Sequence, residues 1–346
     1  GITGIDTYNT ATPDRSDGMH EGLFAVLSSL ATSVVNGSKT ASATLVQGIV
    51  NSYNTILALA NGTPDAPSSQ PVAADYDTIG ATIGTADTNA DYLKLLNSVI
   101  DPLSADKVDT PAEISTLATL VAKVLDFTSG VSTTAPARSD LAALGITGLS
   151  DADMPAVLAK LAQVPHTDLS SVNTLPGLQI LASKAVAAQD KVRAYANDSS
   201  QPAPVPQDYA DMGVVLPTAP AVSAAVAADI ANATNQALAS VPVAGAQADT
   251  PTLVQNIVGS YATILAMANG AVDTVAASLP VAQDYINVGV DPALTAKLSS
   301  GGVTTPNLSL LNQLVDNAAN TAAVDTPAAL GNLAILANKE LDIAAQ

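Results

Sequence analysis

Four side chains near the start of the chain carry the groups that bind a divalent cation. They are Asp14, Asp17, His20 and Glu21. They share one face if the segment is helical, and carboxylates with an imidazole suit Ca²⁺ or a transition metal. However, Gly18 and Gly22 interrupt the segment, and the alternating Asp/Asn pattern of a calcium loop is missing. A solvated acidic turn is therefore favoured over a metal site, and calcium is the only cofactor that the sequence suggests.

Groups for covalent or acid–base catalysis are scarce. The chain of 346 residues has no cysteine and two histidines, which excludes thiolate metal sites and a cysteine nucleophile. His166 is the lone histidine of the segment Val164–Asp168, and a catalytic role would need a nucleophile and an orienting acid that the sequence alone does not place around it. We interpret it as a loop histidine and expect no catalytic residue and no enzymatic activity.

A motif built around aspartate recurs four times. It reads Pro, three residues, Asp, Tyr or Leu, three residues and Gly, and its aspartates are Asp75, Asp140, Asp208 and Asp284. A functional interpretation gives each copy a calcium or sugar contact, whereas a structural one places the carboxylate at a helix N-terminus. Because Asp recurs in step with Pro and Gly, the structural interpretation is favoured. The glycine predicts the end of a short helix, since it adopts the left-handed conformation without steric strain.

A second motif, Asp-Thr-Pro, predicts where longer helices begin. It occurs at Asp109–Pro111, Asp249–Pro251 and Asp325–Pro327. Threonine caps a helix N-terminus and proline suits the first helical position, and apolar residues at helical spacing follow each copy. The segments Leu45–Gly62 and Leu253–Gly270 are identical at fourteen of eighteen positions, which predicts that the same amphipathic helix is repeated in the chain. Their equivalent tyrosines, Tyr53 and Tyr261, are expected to pack in the core or at an interface, and the alternative is that they stack on a ligand.

These repeats predict an all-α fold, a solenoid-like tandem array of about five small helical modules. Each module holds a short helix that ends in glycine, a first long helix, a capped second helix and a proline-rich connector. Their predicted limits are 1–79 with an insertion at 13–22, 80–144, 145–212, 213–288, and an incomplete module at 289–346. No sustained two-residue alternation of apolar and polar side chains predicts a sheet.

The balance of charge excludes two classes of partner. The chain has 31 acidic and 12 basic residues, a formal net charge of −19, and no Lys or Arg in the segments 41–93 and 195–296. Nucleic acids and anionic lipid surfaces are bound through Lys and Arg, so neither is expected as a partner. The uncharged stretch Leu45–Gly62 carries too many amide and hydroxyl side chains for a membrane span. Because 48% of the residues are hydrophobic, the chain is expected to fold.

The segment Pro71–Gly84, the Leu-Leu-Asn helix and the Asp-Thr-Pro-Ala helix resemble helical repeats of very large bacterial secreted and cell-surface proteins. Those proteins are repetitive adhesins, often exported by type I secretion. The resemblance covers the whole chain, and it implies an extracellular or cell-surface location. It also implies a role as a spacer or matrix segment, and it implies no catalytic residue.

The apolar residues at both ends of the chain predict how it assembles. Ile2 and Ile5 open the chain, and Leu333, Ile335, Leu336 and Leu341 close it. We expect head-to-tail self-association, or continuation into neighbouring repeats of a longer chain. The function expected is a non-enzymatic structural one, as part of an adhesin, surface layer, filament or matrix fibre. The alternative is an extracellular binding module that holds a glycan, calcium or an apolar ligand between helical repeats.

Overall fold

A computed structural model describes residues 43–64, 70–219, 221–240, 248–268, 279–300 and 303–344. Within these ranges the chain forms fourteen α-helices, so the predicted all-α class is confirmed. The exception there is a two-residue antiparallel ladder in which β1 (Ser299–Ser300) pairs with β2 (Val303–Thr304). Across the described ranges, no helix combines the length and the apolar character that a bilayer crossing requires.

The helices alternate between short and long elements along the chain. They are α1 (Ala43–Leu59), α2 (Ala73–Thr78), α3 (Ala90–Ile100), α4 (Pro111–Thr128), α5 (Arg138–Ala143), α6 (Met154–Leu161), α7 (Leu175–Asn197), α8 (Pro206–Met212), α9 (Ala224–Leu238), α10 (Pro251–Met267), α11 (Ala282–Asn287), α12 (Pro292–Thr295), α13 (Pro306–Asp316) and α14 (Pro327–Ala344). Short 3₁₀ turns occupy Gly84–Asp87, Ala105–Lys107 and Thr321–Ala323.

The described residues divide into two compact units. Unit 1 holds those up to Asp151 together with Leu161–Ala182, and unit 2 holds Ala152–Lys160 together with those from Ser183 onward. In unit 1, α1 packs against α2, and α4 packs against both α3 and α5. In unit 2, α10 packs against α9, α11 and α13, and α14 packs against α12 and α13.

The core consists of Ala, Val, Leu and Ile side chains with a few large tyrosines among them. Five tyrosines are fully buried, namely Tyr53, Tyr76, Tyr209, Tyr261 and Tyr285. Core packing of Tyr53 and Tyr261 was expected from their equivalent places in the duplicated helix, and this is confirmed. Burial of these rings removes large apolar areas from water, which stabilises a fold otherwise built from small side chains.

The predicted helix starts are confirmed. The Thr110 hydroxyl accepts a hydrogen bond from the Glu113 N–H at 3.3 Å, and the Thr250 hydroxyl accepts one from the Leu253 N–H at 3.4 Å. The third equivalent, Thr326, accepts from the backbone N–H three residues later at 3.1 Å. Each threonine satisfies a helix N–H that has no intrahelical partner. Glu113 also accepts from the Thr110 N–H at 3.1 Å, which completes a capping box.

The glycine that closes each short-helix motif takes the predicted left-handed conformation. The φ angles are 80° at Gly80, 98° at Gly145, 88° at Gly213 and 93° at Gly289. The N–H after each glycine donates to the carbonyl of the motif's Tyr or Leu, as Val214 does to Tyr209 at 2.8 Å. This is the closing bond of a Schellman motif, and it turns the chain sharply out of the short helix.

Candidate functional site

The predicted metal ligands lie outside the described residues. These are Asp14, Asp17, His20 and Glu21. In the part of the chain that the structure describes, no three His, Cys, Asp or Glu side chains gather as a metal site would require. The remaining candidates for a site are the recurring aspartates, the buried polar groups and the cavities.

Each recurring aspartate is the third residue of its short helix and holds that helix's first turn. Its carboxylate accepts the N–H of the residue before the helix, at 3.0 Å for Asp75, 2.7 Å for Asp140, 2.7 Å for Asp208 and 2.8 Å for Asp284. The residue before the helix is Val or Ala, which has no side-chain acceptor. Only the carboxylate half of a capping box is therefore present. These hydrogen bonds agree with the structural interpretation of the motif.

Each of these carboxylates has a second partner on the long helix that precedes it, and the partner is of two kinds. Ser52 donates to Asp75 at 2.9 Å, and Ser260 donates to Asp284 at 2.8 Å. The other two carboxylates, Asp140 and Asp208, pair with ammonium groups instead, those of Lys123 and Lys191. These carboxylate oxygens therefore hold short helices to the long helices that precede them.

Lys123 also changes the acidity of its partner. The pKa of Asp140 is lowered, first by the hydrogen bond from the Lys123 ammonium and then by the Ala137 N–H. Both interactions favour the ionised carboxylate. Asp140 is therefore charged at neutral pH, and its charge is used to join α4 to α5.

A network of tyrosine, asparagine and proline occurs three times, buried in two copies and partly buried in the one at Tyr209. The phenol O–H donates to an asparagine amide oxygen at 2.6 Å in Tyr76–Asn97, 2.5 Å in Tyr209–Asn235 and 2.7 Å in Tyr285–Asn312. The same asparagines donate to the carbonyls of Pro71, Pro204 and Pro280 at 2.9, 3.0 and 3.0 Å. Burial raises the pKa of each phenol, so it remains a donor. Each network fastens a proline connector and a short helix to the following long helix.

Sequence reasoning identified the tyrosines and the Leu-Leu-Asn helix separately and missed the link between them. A signal was present in the remaining copy of the motif. Leu141 occupies the tyrosine position there, and the following helix α6 contains no asparagine. Because a buried asparagine without its phenol partner is destabilising, the two residues are expected to be lost together.

Tyr53 and Tyr261 are buried, and two carboxyl groups, those of Asp229 and Asp325, lie near Tyr261. The phenol oxygens of Tyr53 and Tyr261 have no hydrogen-bond partner among the described residues. Near Tyr261, the pKa of Asp325 is raised, first by burial and then by the negative charge of Asp229. Asp229 accepts the hydroxyl of Thr321. Two carboxylates alone do not make a metal site.

His166 lies in the loop between α6 and α7, as predicted, and it is exposed. Its ring covers Gly130, where an added Cβ would lie 2.7 Å from the ring Cε1 atom. The imidazole therefore packs on bare backbone, and this contact gives it a structural role.

Unit 1 contains a cavity of about 510 Å³ between α3 and the start of α7. Two of its polar side chains hold backbone: Ser98 accepts the Leu175 N–H at 2.8 Å, and Gln179 accepts the Thr147 N–H at 2.9 Å. Lys94 lines the cavity and is in none of the ion pairs between described residues. A small ligand fits a cavity of this size, and its lining carries one ammonium group, that of Lys94, and one carboxylate, that of Asp101.

Comparison of the chain with known protein families, with curated proteins and with solved structures finds no match.

Proposed function

We propose that this protein is a non-enzymatic structural protein, built as a tandem array of small helical modules. In this proposal it forms part of an extracellular adhesin, surface layer, filament or matrix fibre. The observation that carries the proposal is the threefold Tyr–Asn–Pro network. It repeats the same buried contact at intervals along the chain, which is what a series of like modules requires.

Contacts between successive proposed modules support an array. In unit 1, Asn173 donates to Asp91 at 2.7 Å, linking the loop before α7 to α3. In unit 2, the Gln189 side-chain amide donates to the Asp249 carbonyl at 2.6 Å, linking α7 to the start of α10. Small modules have limited cores, so interfaces of this kind supply much of the stability of a repeat protein.

The use of the titratable groups supports a structural role. The recurring aspartates cap helices, and two of them form ion pairs. An enzyme places groups with perturbed pKa values together around a cavity. The extracellular location rests on the resemblance to secreted repeats and on the acidic composition, which favours solubility over binding to nucleic acid or anionic lipid.

Electron microscopy of the purified native protein tests the array. We expect elongated particles whose length grows with the number of modules, and a variant with residues 145–212 deleted should be shorter by one module. A compact particle, or a deletion that unfolds the whole chain, would contradict the proposal. Antibody labelling of intact source cells, with permeabilised cells as the control, tests the location separately.

The cavity beside Lys94 supports the second candidate, an extracellular binding module. Its volume of about 510 Å³ suits a small sugar, and the ammonium group of Lys94, which shares the lining with the carboxylate of Asp101, would pair with an acidic group of that sugar. Saturation-transfer NMR with acidic and neutral oligosaccharides would detect binding directly. We expect a signal from the acidic set that Lys94→Met removes, with Lys107→Met, an exposed lysine away from the cavity, as the control. Equal signals in both variants would rule out this site.

A further inference from the structure

Helix α14 exposes a face that the equivalent long helices cover. Leu336 and Ile343 are 42% and 66% exposed, and they flank the exposed Lys339 at three residues before it and four after. Large apolar side chains grouped around one cation on a helix face are typical of a surface that binds another element.

The same arrangement occurs twice more, and there a short helix follows it. Lys191 is flanked at the same spacing by Ala188 and Tyr195, which are 4% and 9% exposed. The equivalent residues beside Lys123 are half-buried, and they are Leu120 and Phe127. Lys123 pairs with Asp140 of α5, and Lys191 pairs with Asp208 of α8.

The duplicated helix shows the same burial without the lysine. In α10, Ser260 and Met267 lie ten and seventeen residues after the capping threonine, as Leu336 and Ile343 do in α14. Their exposures are 3% and 5%, and α11 packs against this helix. The face of α14 therefore matches a docking site for a short helix of the Pro-x-x-x-Asp type.

One segment of the chain matches this motif without belonging to the four copies described above. It is Pro13–Gly22, where the aspartate is Asp17 and the glycine follows five residues later, as in every other copy. Its first five residues, Pro-Asp-Arg-Ser-Asp, differ at one position from the Pro-Ala-Arg-Ser-Asp of Pro136–Asp140. Asp140 is the carboxylate that a lysine holds, so the sequence of this segment is closest to the copy whose aspartate pairs with a lysine.

We propose that the face of α14 formed by Leu336, Lys339 and Ile343 binds the segment Pro13–Gly22 of a second copy of this chain, with Asp17 pairing with Lys339. This inference rests on the proposed function, because it treats α14 as the second helix of a module. The contact joins two different surfaces, so it propagates head to tail. With a net charge of −19 on each copy, general attraction is absent, and a specific ion pair at an apolar face supplies the recognition.

The strength of the contact depends on one residue at which the segment differs from the other copies of the motif. Gly18 stands where the other copies have Tyr or Leu, so the segment brings no large side chain at that position. Leu336 and Ile343 supply apolar area on the helix instead. We therefore expect a reversible contact that is weaker than the docking of α5 on α4, and that weakens further at high ionic strength.

Chemical cross-linking tests the contact directly, because the chain has no cysteine of its own. The single variants Asp17→Cys and Lys339→Cys are mixed and treated with a short bismaleimide. We expect a heterodimer from this pair and none when Lys94→Cys replaces Lys339→Cys. The double variant Lys123→Cys/Asp140→Cys, whose cysteines replace an ion pair within one chain, is the positive control for the reagent.

The double variant Asp17→Cys/Lys339→Cys separates the possible outcomes. A ladder of multimers supports docking between copies, whereas a cross-linked monomer would show that the segment binds its own chain and would overturn the proposal. No product, with the positive control cross-linked, also overturns it. Elongated particles in electron microscopy together with no cross-link would leave the array in place and refute only this contact.

A charge exchange gives a second measurement on the full chain. Lys339→Glu should raise the concentration at which half the chains associate by about tenfold, as followed by sedimentation velocity. Combining it with Asp17→Lys in the same chain should restore association. If Lys339→Glu has no effect, or if the exchange fails to restore what it lost, the pairing of Asp17 with Lys339 is wrong.

Discussion

At the residue scale, the buried tyrosines differ in what their hydroxyl groups do. The Tyr285 hydroxyl donates to Asn312 at 2.7 Å, whereas the Tyr261 hydroxyl has no partner among the described residues. We predict that Tyr285→Phe lowers the free energy of unfolding by about 1–2 kcal/mol, because it leaves the buried Asn312 oxygen without its donor. Urea denaturation followed by circular dichroism measures this change.

Tyr261→Phe is the matched control, since it removes the same atom from an equally buried ring. Here the hydroxyl carries only the desolvation penalty of a buried polar group, so the substitution should be neutral or slightly stabilising. A loss of stability at Tyr261 equal to that at Tyr285 would show that ring packing, and not the hydrogen bond, dominates both sites.

Two of the motif glycines share a backbone conformation but differ in their surroundings. Gly80 has φ of 80° with open space around its missing Cβ, whereas at Gly213, with φ of 88°, a Cβ would lie 2.6 Å from the Ala159 Cβ. We predict that Gly80→Ala destabilises the fold by about 1 kcal/mol through backbone strain alone. Gly213→Ala should cost clearly more, because α6 must also move. Equal shifts in thermal midpoint for the two variants would count against this close approach of α6.

Two carboxyl groups with opposite pKa shifts predict opposite effects of pH. Burial and Asp229 raise the pKa of Asp325 above its ordinary value of 3.8, so the ionised group opposes folding at neutral pH. Asp325→Asn should therefore raise the thermal midpoint at pH 7. That gain should shrink as the pH falls through the raised pKa, because the wild-type carboxyl is then protonated as well.

Asp140 provides the comparison of opposite sign. Its pKa lies below 3.8 because Lys123 and the Ala137 N–H stabilise the charge, so the ionised group favours folding at neutral pH. Asp140→Asn should lower the thermal midpoint at pH 7, and this loss should disappear as the pH falls below 3.8 through the lowered pKa. Parallel pH profiles for the two variants would contradict the assigned environments.

At the scale of the helices, the caps decide where each long element begins. Thr250 makes one cap hydrogen bond, to the Leu253 N–H at 3.4 Å. Thr250→Ala should lower the free energy of unfolding by about 1 kcal/mol, and Thr250→Ser should retain most of the stability because its hydroxyl accepts the same bond. Denaturation curves for the two variants measure the difference. A serine variant no more stable than the alanine one would mean that the hydroxyl does not cap α10.

The helix limits could be predicted from the sequence because each is set by local chemistry. Thr before Pro caps α4, α10 and α14, and a glycine with positive φ ends the short-helix motifs; both depend on residues close together in the chain. The pairing of Tyr285 with Asn312 joins residues 27 apart, and no local rule specifies it. The ion pairs could have been predicted more easily, because Lys123–Asp140 and Lys191–Asp208 share one separation of 17 residues in the sequence.

The candidate metal ligands show a different limit. Asp14, Asp17, His20 and Glu21 lie outside the described residues, so their prediction stays a prediction. The proposed match between the face of α14 and the segment Pro13–Gly22 could not be predicted from the sequence pattern. That match depends on knowing which residues of α4, α7 and α10 are covered, and burial at a helix face is a property of tertiary packing.

At the scale of the whole molecule, an array of small modules predicts that damage stays local. Within unit 2, α13 and α14 pack together and α10 packs against α11. In the proposed array, a weakened module would therefore pass its loss of stability chiefly to its neighbours. We predict that Tyr285→Leu, which also leaves the Asn312 amide oxygen without its hydrogen-bond donor, reduces hydrogen-exchange protection most in α11 and α13. The reduction should be smaller in α10 and smaller again in α9, while α3 and α4 of unit 1 keep their protection.

The double variant Tyr285→Leu/Asn312→Leu copies the state at Leu141, where the network is absent, and should recover part of the protection. Hydrogen exchange followed by mass spectrometry resolves these helices separately. Equal loss in every helix would mean that the chain unfolds as one cooperative body, and the modular description of its stability would then be wrong.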